Sequence, residues 1–405
     1  MIPARRRCVT GYPVVWLVAM AMLLFVVATA GAQGTGRSLD IDLSIRSSGM
    51  GGASGAVFWG GDPNHWATPA LLGYHRGVAY TWGRTQLVPG LASDVILESK
   101  RYTLGFGGVG LAFAGKGPGS VRLDYGWSEG VDQNGNPTGL FNSYEKIDSW
   151  GVGFSLAEAI SSWAALGGRP APAIARHADV AVGFASKDVD IALAPVTMSG
   201  TASGTGLDYG VLLRASPLVT PAGAELPLRL DLAYGYSVQN FNDEQLTFLN
   251  EDESSPLTRM HRNGVAGRFA MGPPARLRSG ASPALAWLLD SLDPLISVGM
   301  ARDWEHNSAG GQAYFYDVER FGVEVAVANV FTWRTGHVTD RVGGIDGGTS
   351  GWGLGFHIGR LAGFRYDRAT IPQASDSGLP DVERKGYTVF VDLVTLFERD
   401  GPARD

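Results

Sequence analysis

The groups that could carry covalent or metal chemistry are sparse and badly spaced in this sequence. No Gly-x-Ser-x-Gly elbow occurs, because Gly-Ala-Ser54-Gly and Gly-Thr-Ser350-Gly both miss its spacing. The seven histidines (65, 75, 177, 261, 306, 337 and 357) are scattered, without a His-Glu-x-x-His pair that would set two ligands on one helix face. Asp132-Gln-Asn134-Gly-Asn136 copies the first ligand positions of an EF-hand loop. Pro137 then stands where that loop needs glycine, and Ser143 where it needs a bidentate glutamate, so a turn-rich loop is the better reading. The sequence therefore predicts no enzyme, no metal centre and no cofactor.

The elements around these residues explain more than the residues do. Arg5, Arg6 and Arg7 precede an apolar run from Val14 to Ala30, and Ala30-Gly31-Ala32 offers a small-residue cleavage site. Residues 1–32 are expected to be a signal peptide cut before Gln33. Three of the 33 Lys and Arg and none of the 39 Asp and Glu lie there, so removal takes the formal charge from −6 to −9. A net acidic exported chain repels phosphate, and no nucleic-acid partner is expected. The only cysteine, Cys8, goes with the signal, which leaves no thiol for disulfides or metal.

Past the signal no stretch reaches the length of an apolar helical span. Strict alternation recurs instead, the mark of strands with two unlike faces. In Leu228–Val238 one face is Leu228, Leu230, Leu232, Tyr234, Tyr236 and Val238, and the other is Arg229, Asp231, Ala233, Gly235 and Ser237. The pattern returns at 78–83, 109–114, 121–127, 150–157, 180–185, 207–214, 295–304, 321–328, 330–338, 352–359, 361–368 and 387–397. The apolar face carries Trp and Tyr near strand ends, as interfacial girdles do. The other face is Gly, Ala, Ser, Asp and Arg, with five lysines in the whole chain. Strands that meet hydrocarbon must close, because every backbone N–H and C=O needs a partner there. The expectation is an all-β fold: a transmembrane antiparallel β-barrel of about fourteen strands in the outer membrane. Ser128–Lys146, Asn240–His261 and Ile371–Arg384 read as external loops. Leu156–Leu166 and Ala281–Leu292 read as short helices.

Behind the signal come Gly49-Met50-Gly51-Gly52-Ala53 and then Asp62, Thr68, Pro69, Ala70, Leu71 and Leu72. This order resembles the opening of the FadL/PorV-like outer-membrane barrels, with Thr68 standing in place of their usual Asn. Gly322-Val-Glu-Val325, Arg334-Thr-Gly-His337, Asp340, Gly344-Ile-Asp-Gly347, Thr349, Gly351-Trp-Gly-Leu-Gly355, Tyr366-Asp367 and Ile371-Pro-Gln373 are similar too, and closest to the PorV-like branch. The resemblance implies a plug over 33–73 and a barrel over 74–397; the charged tail over 398–405 is one that many outer-membrane barrels lack. Phe58, Trp59, Trp66, Leu71 and Leu72 would be costly to leave in water, so they are expected to pack against inward residues or line an apolar pocket. Partners would be outer-membrane lipid, the barrel-insertion machinery that reads the last strand, and either small hydrophobic molecules or exported proteins. Two functions stay open: passage of small hydrophobic solutes, or a structural dock in a secretion machine. A kinked strand with a lateral opening plus an apolar internal pocket would favour the first, and a sealed wall with a large protein-binding outer rim the second.

Overall fold

A computed structural model describes residues 37–392, apart from 63, 116–119, 132–135, 194–199, 221–224, 248–253, 279–280, 309–317, 342 and 360. The signal segment, the end of the expected final strand (393–397), the charged tail and the first four residues of the EF-hand-like loop (132–135) lie outside the described residues. The chain forms β1 (Gly77–Gln86), β2 (Ile96–Phe106), β3 (Val109–Ala114), β4 (Ser120–Val131), β5 (Pro137–Ser155), β6 (Ala178–Ala192), β7 (Thr201–Val219) and β8 (Leu228–Gln239). Short β9 (Gln245–Thr247) and β10 (Ser254–Pro256) follow. Next come β11 (Arg259–Met271), β12 (Ile296–Ser308), β13 (Val318–Val327), β14 (Phe331–Asp340), β15 (Ile345–Ile358), β16 (Ala362–Ile371) and β17 (Val382–Val391). Helices α1 (Ile45–Ser48), α2 (Leu156–Leu166), α3 (Ala173–His177), α4 (Ala275–Arg278) and α5 (Pro283–Ser291) complete the list.

Every ladder is antiparallel, and β1 pairs with β17 from Val78↔Val391 to Thr85↔Arg384, so the sheet closes on itself. β9 and β10 form a hairpin in a loop, and β3 and β4 both run between β2 and β5 as two halves of one wall strand. Seventeen strands less those three give a wall of fourteen, the number the alternation predicts. Closure pairs the backbone without an edge, which is what a hydrocarbon solvent demands.

The outer face is apolar around the circumference: Phe113, Trp150, Val182, Leu232, Phe269, Met300, Trp333, Leu354, Phe364 and Val389 are all exposed. In water such a belt would far exceed the patch a soluble monomer tolerates, so a bilayer is the surface that covers it. Aromatic pairs edge the belt toward the longer loops, among them Tyr80–Tyr102 at 4.9 Å, Trp82–Tyr387 at 5.3 Å and Trp150–Phe184 at 5.7 Å. At the other end the connections are tight turns, such as Gly107-Gly108 and Ala328-Asn329, or the helices.

All three expected loops are partly strand, and Asn240–His261 holds β9, β10 and the start of β11. Val131 still pairs with Pro137, so most of Ser128–Lys146 is a hairpin standing above the belt. In water its outer face need not be apolar, and Arg122, Asp124 and Asn142 bond one another there. Likewise β17 starts at Val382, inside the expected Ile371–Arg384 loop, because Arg384 turns inward to Thr85 and Ser48. Helix α2 spans the residues the sequence predicts. Ser155 caps it by accepting from Glu158 N at 3.2 Å.

Candidate functional site

Residues 38–75 lie inside the barrel. The segment is first a unit bonded to itself. Asp42 is its hub: the carboxylate accepts from Ser44 N at 2.9 Å, Ser47 Oγ at 2.8 Å, Ser54 Oγ at 3.0 Å and Asn64 Nδ2 at 2.8 Å. Burial pushes this carboxyl up, but Arg262 and the donors from Ser44 and Ser47 outweigh it and hold Asp42 below the ordinary carboxylate range. Ser54 is therefore committed as a donor to a structural carboxylate.

The wall makes room for this segment with glycine. In register across five strands stand Gly105, Gly110, Gly153, Gly183 and Gly210, all on the inner face. A Cβ at Gly110 would fall 1.9 Å from the Leu72 carbonyl oxygen, and one at Gly183 2.3 Å from the Pro69 carbonyl carbon. On the opposite wall a Cβ at Gly322 would meet Met50 at 2.4 Å, and one at Gly336 the Gly51 nitrogen at 2.4 Å. The small inner face that the sequence displays is thus a cradle for a second backbone. Gly51 itself sits at φ +68, where its own Cβ would strike the His337 carbonyl at 2.4 Å, so the position admits only glycine.

Two unlike sets of contacts hold the segment. Toward β2–β7, Leu39, Leu43 and Trp66 pack in an apolar cluster with Leu97, Ala114, Val121, Leu123, Ile147, Val189 and Ile191. Trp66 Nε1 donates to the Leu39 carbonyl at 3.0 Å, and the Lys187 ammonium stands 4.2 Å above its ring. Toward β12–β16 the contacts are ionic. Arg46 forks onto Glu324 at 2.8 and 2.6 Å, Trp59 Nε1 donates to the same carboxylate at 3.1 Å, and Arg334 reaches Glu324 at 2.8 Å and Asp367 at 2.7 Å. The Ser54 and Gly55 amides both donate to Asp303 at 2.8 Å, and Thr349 bonds Gly51 N and the Gly49 carbonyl.

The residues quoted for the family resemblance accordingly meet in space. Glu324, Arg334, Thr349 and Asp367 clamp the segment that carries Gly49–Ala53. Met50, Ala53, Thr68, Pro69, Ala70, Leu71 and Leu72 are all buried, and Asp62 faces Arg101 at 3.4 Å. The ionic clamp itself was not picked out as a site from sequence. Its signal is there, as charges at every second position on strands whose other face is apolar.

The apolar candidates divide. A cavity of about 450 Å³ opens at the turn end and is lined by Trp59, Arg268, Asp290, Glu324, His357 and Arg365 among others. Charged groups stand among apolar ones on its walls, where a purely apolar pocket is expected, because the wall below the segment carries its ionic positions. Phe58 and Leu71 line a second hollow of about 70 Å³ with Val57, Tyr74 and His75. Trp66 lies in the first apolar cluster, and Leu72 is buried against the Gly110–Gly153 wall; neither lines either space. Asp231, inward as the alternation predicts, takes Arg268 at 2.8 Å, Arg229 at 2.7 Å and Ser216 at 2.6 Å.

One wall strand is interrupted beside the apolar cluster. Ala114 pairs with Ser149 and Val121 with Ile147, so the chain between these two pairs is six residues long on the β3–β4 side and one residue long on β5. The β2 side shows the same excess between Phe113 and Ser120. Ala114 and Val121, which flank the interruption, both belong to the cluster around Leu39, Leu43 and Trp66.

Among the described residues no group of three His, Cys, Asp or Glu is placed to hold a metal. No family model and no curated protein matches the sequence. Solved structures similar to this chain include the Ralstonia pickettii toluene transporter TbuX, at 10% identity and a TM-score of 0.40, covering 85% of this chain and 95% of that one. A Pseudomonas aeruginosa FadL homologue matches at 9% identity and 0.34, over 90% of this chain and 100% of that one. The P. putida toluene transporter TodX matches at 9% and 0.34, over 85% and 95%. The PorV-like branch finds no support among these three. At this level of similarity, function has to be read from this chain's own residues.

Proposed function

We propose that this chain is an outer-membrane channel for small hydrophobic solutes, with residues 38–75 as its plug. Export through the N-terminal segment and a bilayer around the apolar belt would place it there. The observation that carries the reading is the pairing of an interrupted wall strand with an apolar interior. The third strand breaks its register between Ala114 and Val121, and directly behind those residues lie Leu39, Leu43 and Trp66. A solute leaving the belt at that break would meet apolar side chains rather than the charges of the opposite wall. Its exit would run past Phe58 and Leu71 into the larger cavity at the turn end, where water replaces it.

The test is uptake of the apolar dye N-phenylnaphthylamine by intact cells that display the protein. Uptake should be faster than in cells without it. Val121→Asp, which puts a charge into the cluster, should return the rate to background while the barrel still folds. Equal rates with and without the protein would overturn the proposal.

A further inference from the structure

We propose that helix α2 is a membrane-surface element, seated in the headgroup region of the leaflet at the turn end and bound there to anionic phospholipid. The helix leaves β5 directly: Phe154 is the last outward position of that strand, Leu156 is the first residue of the helix, and both are exposed. At 100° per residue Leu156, Ile160, Trp163 and Leu166 fall on one stripe about 120° wide. Trp163 and Leu166 are each 77% exposed, so this stripe continues the apolar belt around the corner of the rim. The start of the helix is fixed to the protein through its backbone. Ala157 N donates to Asp179 at 2.7 Å, and a Cβ on Gly108 would come within 2.5 Å of Ala159 N, so the helix lies against the β2–β3 turn.

What covers the stripe follows from its continuity with the belt and from charge. An eleven-residue helix with one apolar side, ended by Trp, suits the boundary between acyl chains and headgroups. Residues 159–178 contain Arg169, Arg176 and His177 and no Asp or Glu. Both arginines are exposed, beyond the helix and toward the β6 start. Glu158 in the first turn of the helix faces Arg76 at 3.9 Å, and Asp179 is buried. Among the described residues, the unpaired exposed charge beside the apolar stripe is therefore that of Arg169 and Arg176, which matches a leaflet of anionic phosphates. It does not match a periplasmic protein surface of mixed charge. α2 would then hold the barrel at a set depth from the turn end, independently of what passes through the lumen.

The absence of cysteine beyond Cys8 makes the test direct. In a Cys8→Ser background, Trp163→Cys, Leu166→Cys and, on the far side, Ser161→Cys are spin-labelled in the full chain. The proteins are placed in nanodiscs of phosphatidylethanolamine and phosphatidylglycerol. Collision with oxygen relative to an aqueous nickel chelate should be severalfold higher at 163 and 166 than at 161. Arg169→Glu with Arg176→Glu should lower that ratio at 163, and replacing phosphatidylglycerol by phosphatidylcholine should do the same. Nickel collisions at 163 and 166 equal to those at 161 would overturn the proposal, placing the stripe in water. Shielding of 163 and 166 from both reagents would overturn it too, since protein would then be the cover.

Discussion

The two halves of the lumen hold the same segment by opposite means. On the β2–β7 side the contact is a cluster of Leu, Ile, Val and Trp, which has area but little direction. On the β12–β16 side Glu324 takes Arg46, Arg334 and Trp59, and Asp303 takes two backbone amides, each at a fixed angle and distance. The directional half sets where the segment sits. The apolar half can exchange one hydrocarbon surface for another at small cost, which is the property a passing apolar solute requires. The directional contacts and the apolar contacts thus lie on opposite walls of one barrel, and under the proposed function the second would be the path.

The sharpest way to break this contrast is at the anchor. Glu324→Ala leaves Arg46 and Arg334 buried without their shared carboxylate, an expected loss of about 3–5 kcal/mol. Limited proteolysis should then cut within residues 49–72, which the intact protein should protect, and no apolar solute should restore protection. On the other wall Leu43→Ala should cost about 2–5 kcal/mol. Here a small apolar molecule should recover part of the loss by filling the space, as dry apolar cavities accept such ligands. Denaturant titration with and without benzene reads that asymmetry. Rescue on both sides, or on neither, would erase the distinction between the halves.

A smaller effect is expected from the cradle. Gly336→Val puts methyl groups where the Gly51 nitrogen lies, an overpacking cost of about 1–3 kcal/mol that falls on the segment rather than on the strand ladder. The wall should retain its heat-modifiable mobility on gels while the segment loosens. The smallest effect is acid. Because Asp42 sits below its ordinary value inside the segment, its contribution is present at neutral pH. That contribution is lost as pH falls through and below the ordinary aspartate range. Protease protection of 49–72 should decline over that window, and Asp42→Asn should flatten the decline.

Much of the wall was legible because hydrocarbon on one face imposes a period of two that few other environments enforce. The strands that escaped show where that rule stops. β2 carries Glu98 and Lys100 on its outer face, paired at 3.1 Å, and β11 carries Arg259 and His261 there. These positions stand above the belt, in water, where alternation has no reason to persist. Helix α2 was legible from its break in alternation. The interior was legible only in part. The glycine-rich inner face was visible as composition, but which backbone it admits depends on contacts hundreds of residues apart, such as Gly51 against Thr349. The charged groups of the larger cavity were hidden for the same reason, since Arg268, Glu324 and Arg365 come from three distant strands.

The central claim, that residues 38–75 close the lumen, is tested most directly by deleting 49–72 and following sugar entry into proteoliposomes by swelling. The wall strands lie outside the deleted stretch, so a folded barrel should remain. The account predicts that the deleted form admits sugars severalfold faster than the intact protein, which should be nearly closed to them. Equal swelling rates from two folded barrels, together with protease cleavage of 49–72 in the intact form, would contradict it.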